Sequence, residues 1–386
     1  MKKFFKRTWA EVNLQNLIKN LDIIKGITSK NTKIMAVIKA DAYGHGSAYV
    51  AKTLAQNGVK SFAVSNLEEA IALRNSEIDD EILVLGPTPV EYHKTLAEFG
   101  IVQAVHSLEY ANELNTVAEQ KIEVHIKLDT GMSRLGFVSS AGYAEIAREL
   151  ISMKNLNPSG IFSHLSHADG KDSDAVAHTE KQVQCFDKAV AEFKDVFPNL
   201  KTHIQNSAGI VNLPQLEYDY VRPGIVLYGI DPANSEQNEP KFHPVMALKT
   251  CVSMVKELKQ GTPVGYSRNF IAPHDMKIAT VPIGYADGYL RTLSSGGKML
   301  VHGKFASIIG NVCMDQLMLD VTGIDNVKEG DAVTAFGADG DEELTAEALA
   351  DIAGTIGYEI VCLVNKRVQR VYIDGEKCVA IHDEII

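Results

Sequence analysis

The segment from Ile34 to Gly46 constrains the fold more than any other part of the sequence, because an apolar run ends there in a lysine. It reads IMAVIKADAYGHG. The residues before Lys39 are apolar and partly β-branched, which predicts a strand buried on both faces, as in a parallel sheet. Asp41, Gly44 and Gly46 then break the strand, so Lys39 is expected at its C-terminal end.

A lysine at this position has two interpretations. It could cap a core strand and extend its ammonium into water. Partial desolvation would instead lower the pKa of Lys39 and leave a neutral amine, which can form a Schiff base with a carbonyl group.

Short apolar runs alternate with periodic polar-apolar segments from residue 30 to about residue 230. The predicted strands are Ile34–Ile38, Phe62–Ser65, Ile82–Leu85, Val102–Val105, Val124–Leu128, Gly160–Ser163, His203–Gln205 and Ile225–Tyr228. The predicted helices between them include Leu67–Arg74, Leu108–Glu119, Ala141–Met153 and Asp174–Phe193. This alternation predicts an α/β fold with an N-terminal (β/α)8 TIM-like barrel. A doubly wound open sheet would alternate similarly, but no Gly-x-Gly-x-x-Gly turn follows the first strand, which disfavours dinucleotide binding.

The pattern changes at residues 231–240, a polar and proline-containing stretch that is typical of a linker. Short alternating runs separated by turn residues follow and predict a mainly β domain. Its predicted strands are Val245–Val255, Lys277–Ile283, Lys298–Val301, Ala306–Ile309, Gln316–Val321, Asp331–Phe336 and a final one near Arg367–Ile373, with a helix at Thr345–Ala353. We therefore predict a barrel domain at residues 1–240 and a C-terminal β-strand domain at residues 241–386. The segment Trp9–Val12 precedes the barrel and is expected to pair with the β domain.

The composition disfavours several classes of protein. A formal net charge of −11 and a pI near 5.6 argue against a nucleic-acid or anionic-membrane partner. No apolar stretch approaches the ~20 residues that a membrane-spanning helix needs. The basic N-terminal residues are not followed by an apolar core, so no signal peptide is expected. The five cysteines are scattered without metal-ligand spacing, so we predict no metal site and a reducing, cytoplasmic location.

Polar and basic side chains follow several predicted strands at their C-terminal ends, where a (β/α)8 barrel has its active site. They are Lys39, Tyr43, Lys127, Arg134, His164, Asn206 and Ser207, and Arg222 comes just before the predicted eighth strand. Each of them alone has an ordinary structural explanation, such as a surface ion pair for an arginine. Together they predict one site for a phosphorylated ligand. Backbone amides near Ser207 and Gly224–Ile225 would suit the phosphate, because glycine permits a close backbone approach.

The sequence resembles the alanine racemases over nearly its whole length, from about Trp9 to Val371. The most specific match is the lysine segment AVIKADAYGHG at residues 36–46. Further matches are DTGMSRLG at residues 129–136, VRPG at 221–224, IGYADG at 283–288 and CMDQ at 313–316. The resemblance implies a pyridoxal 5'-phosphate enzyme with a barrel and a β domain. It also implies an obligate homodimer with shared active sites and a small amino acid as substrate.

The resemblance implies a role for each matching residue. Lys39 would bind pyridoxal 5'-phosphate covalently and act as one base, and Tyr266 of the partner subunit would act as the other. The remaining cofactor contacts would come from Tyr43, Arg134, His164, Asn206, Ser207, Arg222, Gly224, Ile225 and Tyr358. Arg134 and the backbone N–H of Met314 would bind the substrate carboxylate. Tyr285 and Tyr358 would narrow the entrance, and Lys127 aligns with a lysine that is carbamylated in the family.

Racemisation suits such an arrangement, because one proton leaves one face of the substrate and another arrives at the opposite face. A tyrosine has an ordinary pKa of about 10, so His164 and Arg222 are candidates for lowering the pKa of the second base. Arg222 has only donors. It should therefore leave the cofactor's pyridine nitrogen unprotonated and limit the lifetime of a delocalised carbanion.

The expected activity is the interconversion of L-alanine and D-alanine, which would supply D-alanine for peptidoglycan. A serine or broad-spectrum amino-acid racemase of the same fold is the nearest alternative, because the sequence does not fix the pocket volume. A decarboxylase of similar architecture would carry a further substrate-amine motif. A non-catalytic cofactor-binding protein with this barrel usually lacks the β domain.

Overall fold

A computed structural model describes residues 4–138, 142–232 and 240–383. Within these ranges, a nearly closed parallel barrel with helices is followed by a mostly β domain, which confirms the predicted fold class. No helix in the described ranges is both long enough and apolar enough to cross a bilayer. Residues 233–239 of the predicted linker lie outside the described residues, and the domain boundary at residue 240 stays a prediction.

The first strand belongs to the sheet of the C-terminal domain. β1 (Thr8–Asn13) pairs antiparallel with Met246–Cys251 and parallel with Gln369–Asp374. The expected pairing of Trp9–Val12 with the β domain is therefore confirmed. As a result, Thr8–Asn13 and Gln369–Asp374 lie in one sheet, and the barrel is inserted between them in the sequence.

Eight parallel strands form the barrel in the order β8-β7-β6-β5-β4-β3-β2-β9. They are β2 (Lys33–Val37), β3 (Ser61–Val64), β4 (Glu81–Val84), β5 (Val102–Val105), β6 (Ile122–Lys127), β7 (Leu156–Phe162), β8 (Lys201–His203) and β9 (Tyr220–Val221). The helices of this part are α1 (Leu14–Ile27), α2 (Lys39–Tyr43), α3 (Ser47–Gln56), α4 (Leu67–Asn75), α5 (His93–Glu98), α6 (Leu108–Val117), α7 (Ala144–Ile151), α8 (Ser173–Lys194) and α9 (Ser207–Asn212). Short 3-10 turns occupy Val90–Tyr92 and Ile225–Tyr228.

The barrel strands are buried on both faces because helices cover the outside and side chains fill the inside. All four residues of β3 and of β5 are buried. The two end strands, β8 and β9, are joined just beyond their C-terminal ends, where the N–H of Arg222 donates to the carbonyl of Gln205 at 3.0 Å. A backbone hydrogen bond therefore joins the two end strands at the C-terminal mouth of the barrel.

An 11-stranded sheet forms most of the C-terminal domain, in the order β11-β14-β17-β16-β15-β18-β10-β1-β20-β21 with β19 beside β18, and β12 and β13 pair separately. The strands are β10 (Met246–Cys251), β11 (Met254–Leu258), β12 (Pro263–Val264), β13 (Phe270–Ile271), β14 (Met276–Val281), β15 (Lys298–Val301), β16 (Lys304–Ile309), β17 (Leu317–Asp320), β18 (Ala332–Asp339), β19 (Glu342–Leu344), β20 (Gln369–Asp374) and β21 (Lys377–His382). The helices are α10 (Ala346–Ala353) and α11 (Gly357–Cys362), with 3-10 turns at Tyr266–Arg268, Tyr285–Asp287 and Arg291–Ser294.

The prediction for the eighth barrel strand is wrong. The run Ile225–Tyr228 is a buried 3-10 turn, and the eighth strand is β9, so Arg222 follows that strand instead of preceding it. A short, fully apolar run carries no periodicity that distinguishes a strand from a helix. Pro223 lacks a backbone N–H and ends the ladder after β9.

Other boundaries differ in the C-terminal half and around α7. The single strand predicted at Val245–Val255 is two strands, β10 and β11. The sequence analysis missed α11 and β21, which come after the helix and the final strand that it predicted. The helix predicted from Ala141 begins at Ala144 among the described residues, and residue 141 lies outside them.

Arg370, in β20, connects the C-terminal domain to the lysine segment. Its side chain is buried, and its Nε donates to the carbonyl of Gly44 at 3.0 Å. The same guanidinium donates to the carbonyls of Val364, Asn365 and Val368 at 2.6–2.7 Å. These carbonyls need donors because an unpaired buried polar group is costly.

Replacing this arginine should destabilise the protein far more than replacing an exposed one. We expect Arg370→Met to lower the free energy of unfolding by about 3 kcal/mol or more, because several buried carbonyls lose their donor. Arg148→Met is the control, since Arg148 is exposed and its Nε bonds to a carbonyl of its own helix, and it should change stability by about 0.5 kcal/mol or less. Urea unfolding measures both values, and equal effects would contradict the proposed connection.

Candidate active site

Lys39 begins a short left-handed turn at the C-terminal end of β2. The four residues after it, Ala40–Tyr43, have φ between +51° and +54°. L-residues avoid this region because Cβ approaches the following carbonyl, at roughly 1–2 kcal/mol for each residue. Such a turn persists only when its surroundings hold it.

Contacts from three parts of the chain hold the turn. The carboxylate of Glu69 accepts a hydrogen bond from the N–H of Ala40 at 2.7 Å. The Nδ1 of buried His45 lies 3.0 Å from the carbonyls of Ala42 and Tyr43. At the end of the turn, Arg370 binds the carbonyl of Gly44. The conformation around Lys39 is therefore fixed by both domains.

The surroundings of Lys39 favour a neutral amine. Burial lowers the pKa of Lys39, and the positive charges of Arg134 and Arg222 lower it further. Glu69 and Cys362 act in the opposite direction. The structure thus places Lys39 at the strand end, as predicted, in a setting that suits a reactive amine.

Arg222 is buried at the barrel mouth and is held by a chain of imidazoles. It lies 2.8 Å from the Nδ1 of His203 and donates to the carbonyl of Ser163 at 2.7 Å. Burial lowers the pKa of Arg222 to about 9, so the guanidinium stays charged at neutral pH. Because a guanidinium only donates, Nδ1 of His203 must accept. The other nitrogen of His203 then carries a proton toward Nδ1 of His125, 3.0 Å away across the barrel interior.

Both imidazoles are neutral for the same reason. Burial lowers the pKa of His125 to about 4. Burial and the charge of Arg222 hold the pKa of His203 well below its usual range. The pair therefore supports Arg222 without adding a second buried charge.

His164 and Asn206 lie on the other side of Arg222. The Nδ1 of His164 is 3.4 Å from Arg222, and its Nε2 is 3.4 Å from the amide nitrogen of Asn206. Both neighbours are donors, and a neutral imidazole cannot accept at both nitrogens. Burial and the charge of Arg222 keep the pKa of His164 well below its ordinary value, so His164 is a neutral member of this network.

Lys127, the last residue of β6, is a second amine at the mouth. Its Nζ donates to the carbonyl of Leu128 at 2.6 Å. Burial, followed by the charge of Arg222, lowers the pKa of Lys127 to about 7. The adjacent loop carries Arg134 and folds around Asp129, whose carboxylate accepts from the N–H groups of residues 131–134 at 3.0–3.1 Å.

Tyr43, Ser207 and Gly224 surround a small polar space beside the mouth. The Oγ of Ser207 accepts from the N–H of Gly224 at 3.0 Å. A Cβ at Gly224 would lie 2.5 Å from the hydroxyl of Tyr43, so only glycine leaves this space open. Burial raises the pKa of Tyr43 and keeps its phenol a neutral donor. Ile225 is buried directly after Gly224.

α11 brings Tyr358 to the same side of the mouth. The ring centroids of Tyr358 and Tyr43 are 6.3 Å apart. A side chain at Gly44 would strike the carbonyl of Val361 in α11, so glycine allows this helix to approach. Among the described residues, no recorded contact joins Tyr358 to Tyr285. Tyr358 is thus grouped with Tyr43 in this chain.

The three predicted residues of the β domain are exposed. Tyr266, Met314 and Tyr285 are 73%, 53% and 43% exposed. Tyr285 and Met314 are in adjacent loops, because the N–H of Tyr285 donates to the carbonyl of Cys313 at 3.1 Å. Within the described ranges, no hydrogen bond, ion pair or ring contact joins any of them to Lys39. One chain therefore presents two groups of candidate residues, one at the barrel mouth and one on the β domain.

The sequence analysis missed three residues that support these groups. Glu69 is three residues after Asn66, the N-cap of α4, a spacing that could have suggested a capping role. His125 is an imidazole inside an apolar strand run, which could have suggested a buried contact. Arg367 has no comparable signal, since it binds Asp287 and Asp315 from distant parts of the sequence.

Comparisons with known proteins agree with this architecture. The family model for the alanine racemase N-terminal domain matches residues 12–232, and the model for the alanine racemase C-terminal domain matches residues 245–372. A protein named alanine racemase 1 from Clostridium acetobutylicum is 39% identical over the full length of both chains. The solved alanine racemase of Clostridium difficile 630 is 36% identical, with a TM-score of 0.93 over all of both chains. That of Bacillus anthracis with bound L-Ala-P is 32% identical, with a TM-score of 0.91 over 99% of each chain.

The buried imidazoles should make stability depend on pH. The folded-state pKa of His125 and of His203 lies below the ordinary value of about 6.5, so the unfolded chain binds more protons. Stability is then lost as pH falls below that value, by up to about 1.4 kcal/mol per pH unit for each group. We expect His125→Gln to make the decline between pH 7 and pH 5 shallower in urea unfolding. His274→Gln, at an exposed histidine, should keep the wild-type slope, and an unchanged slope in His125→Gln would contradict this account.

Proposed function

The chain belongs to the alanine racemase family, and from this premise we propose that it binds pyridoxal 5'-phosphate at Lys39 and works as a homodimer. Its activity is that of an amino-acid racemase, an isomerase that interconverts L-alanine and D-alanine. The observation that carries the cofactor proposal is a mostly buried amine with a lowered pKa beside a cradle of neutral donors. The D-alanine formed would serve peptidoglycan synthesis, and we propose a cytoplasmic location.

The residues at the mouth fit this cofactor. The amine of Lys39 suits an aldehyde, because its neutral form is the nucleophile. The phenol of Tyr43, the hydroxyl of Ser207 and the open space at Gly224 suit a phosphate, with Ile225 and Tyr358 next to them. Arg222 would donate to the pyridine nitrogen, with His164 and Asn206 beside it.

Two bases would move the protons. When bound, the cofactor supplies a conjugated electron-withdrawing system that makes the substrate Cα–H acidic. The amine of Lys39 would hold the proton on one face, and burial together with Arg134 and Arg222 favours its neutral, accepting form. The hydroxyl of Tyr266 would hold the proton on the other face. Because Arg222 offers only donors and stays charged, it supplies no proton to the ring nitrogen.

The substrate carboxylate would be bound by Arg134 and by the backbone N–H of Met314. Tyr285 and Tyr358 would restrict the entrance and so favour a small side chain. A carbamate on Lys127 would place an anion near Arg134 and fix the guanidinium. The lowered pKa of Lys127 supports this, because carbon dioxide reacts with the neutral amine.

The exposure of the β-domain residues supports the proposed dimer. Tyr266 and Met314 are exposed on the β domain, and among the described residues no hydrogen bond, ion pair or ring contact joins them to Lys39. A two-fold arrangement would bring the β domain of one subunit to the barrel mouth of the other and create two equal sites.

Mixed dimers test the shared site. A Lys39→Ala chain and a Tyr266→Phe chain should each be inactive alone, but their heterodimer should regain about half of the wild-type activity, since one site is intact and one lacks both bases. The assay follows L-alanine and D-alanine, with serine and lysine as competing substrates. A heterodimer of two differently tagged wild-type chains is the control. Borohydride reduction should fix the cofactor on the Lys39 peptide, and verified heterodimers without activity would refute the shared site.

The Lys127 carbamate gives a separate prediction. Carbon dioxide adds to the amine and releases one proton, so the adduct should form above the pKa of about 7 and disappear at lower pH. Labelling with 13C-bicarbonate and carbon NMR should detect it. Lys127→Ala should remove the signal and raise KM for alanine, whereas Lys121→Ala, at the exposed position just before the same β strand, should do neither. A signal that persists in Lys127→Ala would contradict the assignment.

A further inference from the structure

Glu69 bridges the ends of two neighbouring barrel strands. One carboxylate oxygen accepts from the N–H of Ala40 at 2.7 Å, and the other accepts from the N–H of Ser65 at 2.7 Å. Ala40 is the third residue after β2, and Ser65 directly follows β3. One oxygen therefore holds the backbone next to Lys39, and the other anchors the carboxylate to the end of β3.

The position of Glu69 is itself fixed. It is the third residue of α4, and its N–H donates to the side chain of Asn66, the N-cap, at 2.9 Å. A carboxylate at this helical position is constrained by the start of the helix. Glu69 thus acts as a rigid support, since its own backbone cannot move without disrupting α4.

Among the side-chain contacts that hold the left-handed turn, the contact of Glu69 is made at the residue nearest to Lys39 in the sequence. The N–H of Ala40 belongs to the peptide bond that Lys39 forms with the next residue. The other side chains that hold the left-handed turn act later, at Ala42, Tyr43 and Gly44. Loss of the Glu69 contact would therefore release the start of the turn at Ala40, while the later contacts still hold its end.

We propose that Glu69 is a positioning residue for Lys39, which fixes the peptide after the lysine and places a negative charge beside its amine. The kinetic part of this inference rests on the proposed function, but the placement of the amine does not. Glu69 would act through Lys39 and would not touch substrate or cofactor.

The charges near Lys39 determine how a substitution at Glu69 should change the pKa of Lys39. Arg134 and Arg222 lower the pKa of Lys39 together with burial, whereas Glu69 and Cys362 raise it. Without the carboxylate, Lys39 should lose its proton at lower pH. It should also sample backbone positions that carry the amine away from the substrate.

Three variants separate charge from backbone support. Glu69→Gln removes the charge and keeps one carbonyl that can accept a hydrogen bond. Glu69→Ala removes both. Glu68→Gln is the matched control, because Glu68 is the exposed preceding residue of the same helix.

The first measurement is the pH profile of Lys39 acetylation in the full-length chain, read by peptide mass spectrometry before pyridoxal phosphate is added. Its midpoint should move to lower pH in Glu69→Gln and Glu69→Ala and stay unchanged in Glu68→Gln. With the cofactor bound, Glu69→Ala should lower kcat from about tenfold to about a hundredfold. KM for alanine should change by less than about threefold, because Glu69 does not bind substrate. Glu69→Gln should lose less of kcat.

A Lys39 profile and a kcat in Glu69→Ala that match Glu68→Gln would overturn the proposal. So would a lower urea midpoint with both readouts unchanged, since this would show a merely structural role. If the wild-type chain fails to racemise alanine, the proposed function fails. The acetylation profile then still decides the role of Glu69.

Discussion

The burial of several positive groups together at the barrel mouth is the constraint on which the rest of the site depends. Burial is the largest cause that lowers the pKa of Lys39 and of Lys127, and repulsion from the charges of Arg134 and Arg222 lowers both further. The cluster can relieve this repulsion by keeping its amines neutral or by binding anions. A phosphate, a substrate carboxylate and a lysine carbamate are all anions. The same arrangement therefore favours both a nucleophilic amine and the ligands that an amino-acid racemase would bind.

The left-handed turn shows how the second domain contributes to the first. Four consecutive residues in this conformation are unfavourable without external support. Glu69 supplies that support from a neighbouring barrel repeat, and Arg370 supplies it from the C-terminal sheet. β1 starts the chain in that sheet before the barrel begins. The β domain thus helps to hold the barrel mouth of its own chain, independently of any second subunit.

Much of the fold could be predicted from the sequence, because alternating apolar runs and turn residues are local signals. The eighth strand could not, since Tyr220–Val221 is too short for a pattern and the apolar run after it forms a 3-10 turn. At the site, Lys39 and Arg222 could be identified from short motifs, and the structure brings both to one mouth. The supporting residues could not be found in this way. His125 meets His203 and Glu69 meets Ala40 only in three dimensions, and no spacing along the chain records such contacts.

The loops of the β domain that carry Tyr285 and Met314 are held in place in a way that their exposure alone does not reveal. Asp287 is fully buried at the end of the 3-10 turn that begins at Tyr285. It binds Arg7 there and accepts a hydrogen bond from Arg367 at 2.7 Å. Arg367 also donates to Asp315 at 2.7 Å, next to Met314. A buried carboxylate between two arginines is stable only while both remain in place. The loops that carry Tyr285 and Met314 are therefore joined into one unit inside a single chain, even though the side chains they present are open. A second subunit would meet a rigid surface there, which keeps the entropy lost on association small.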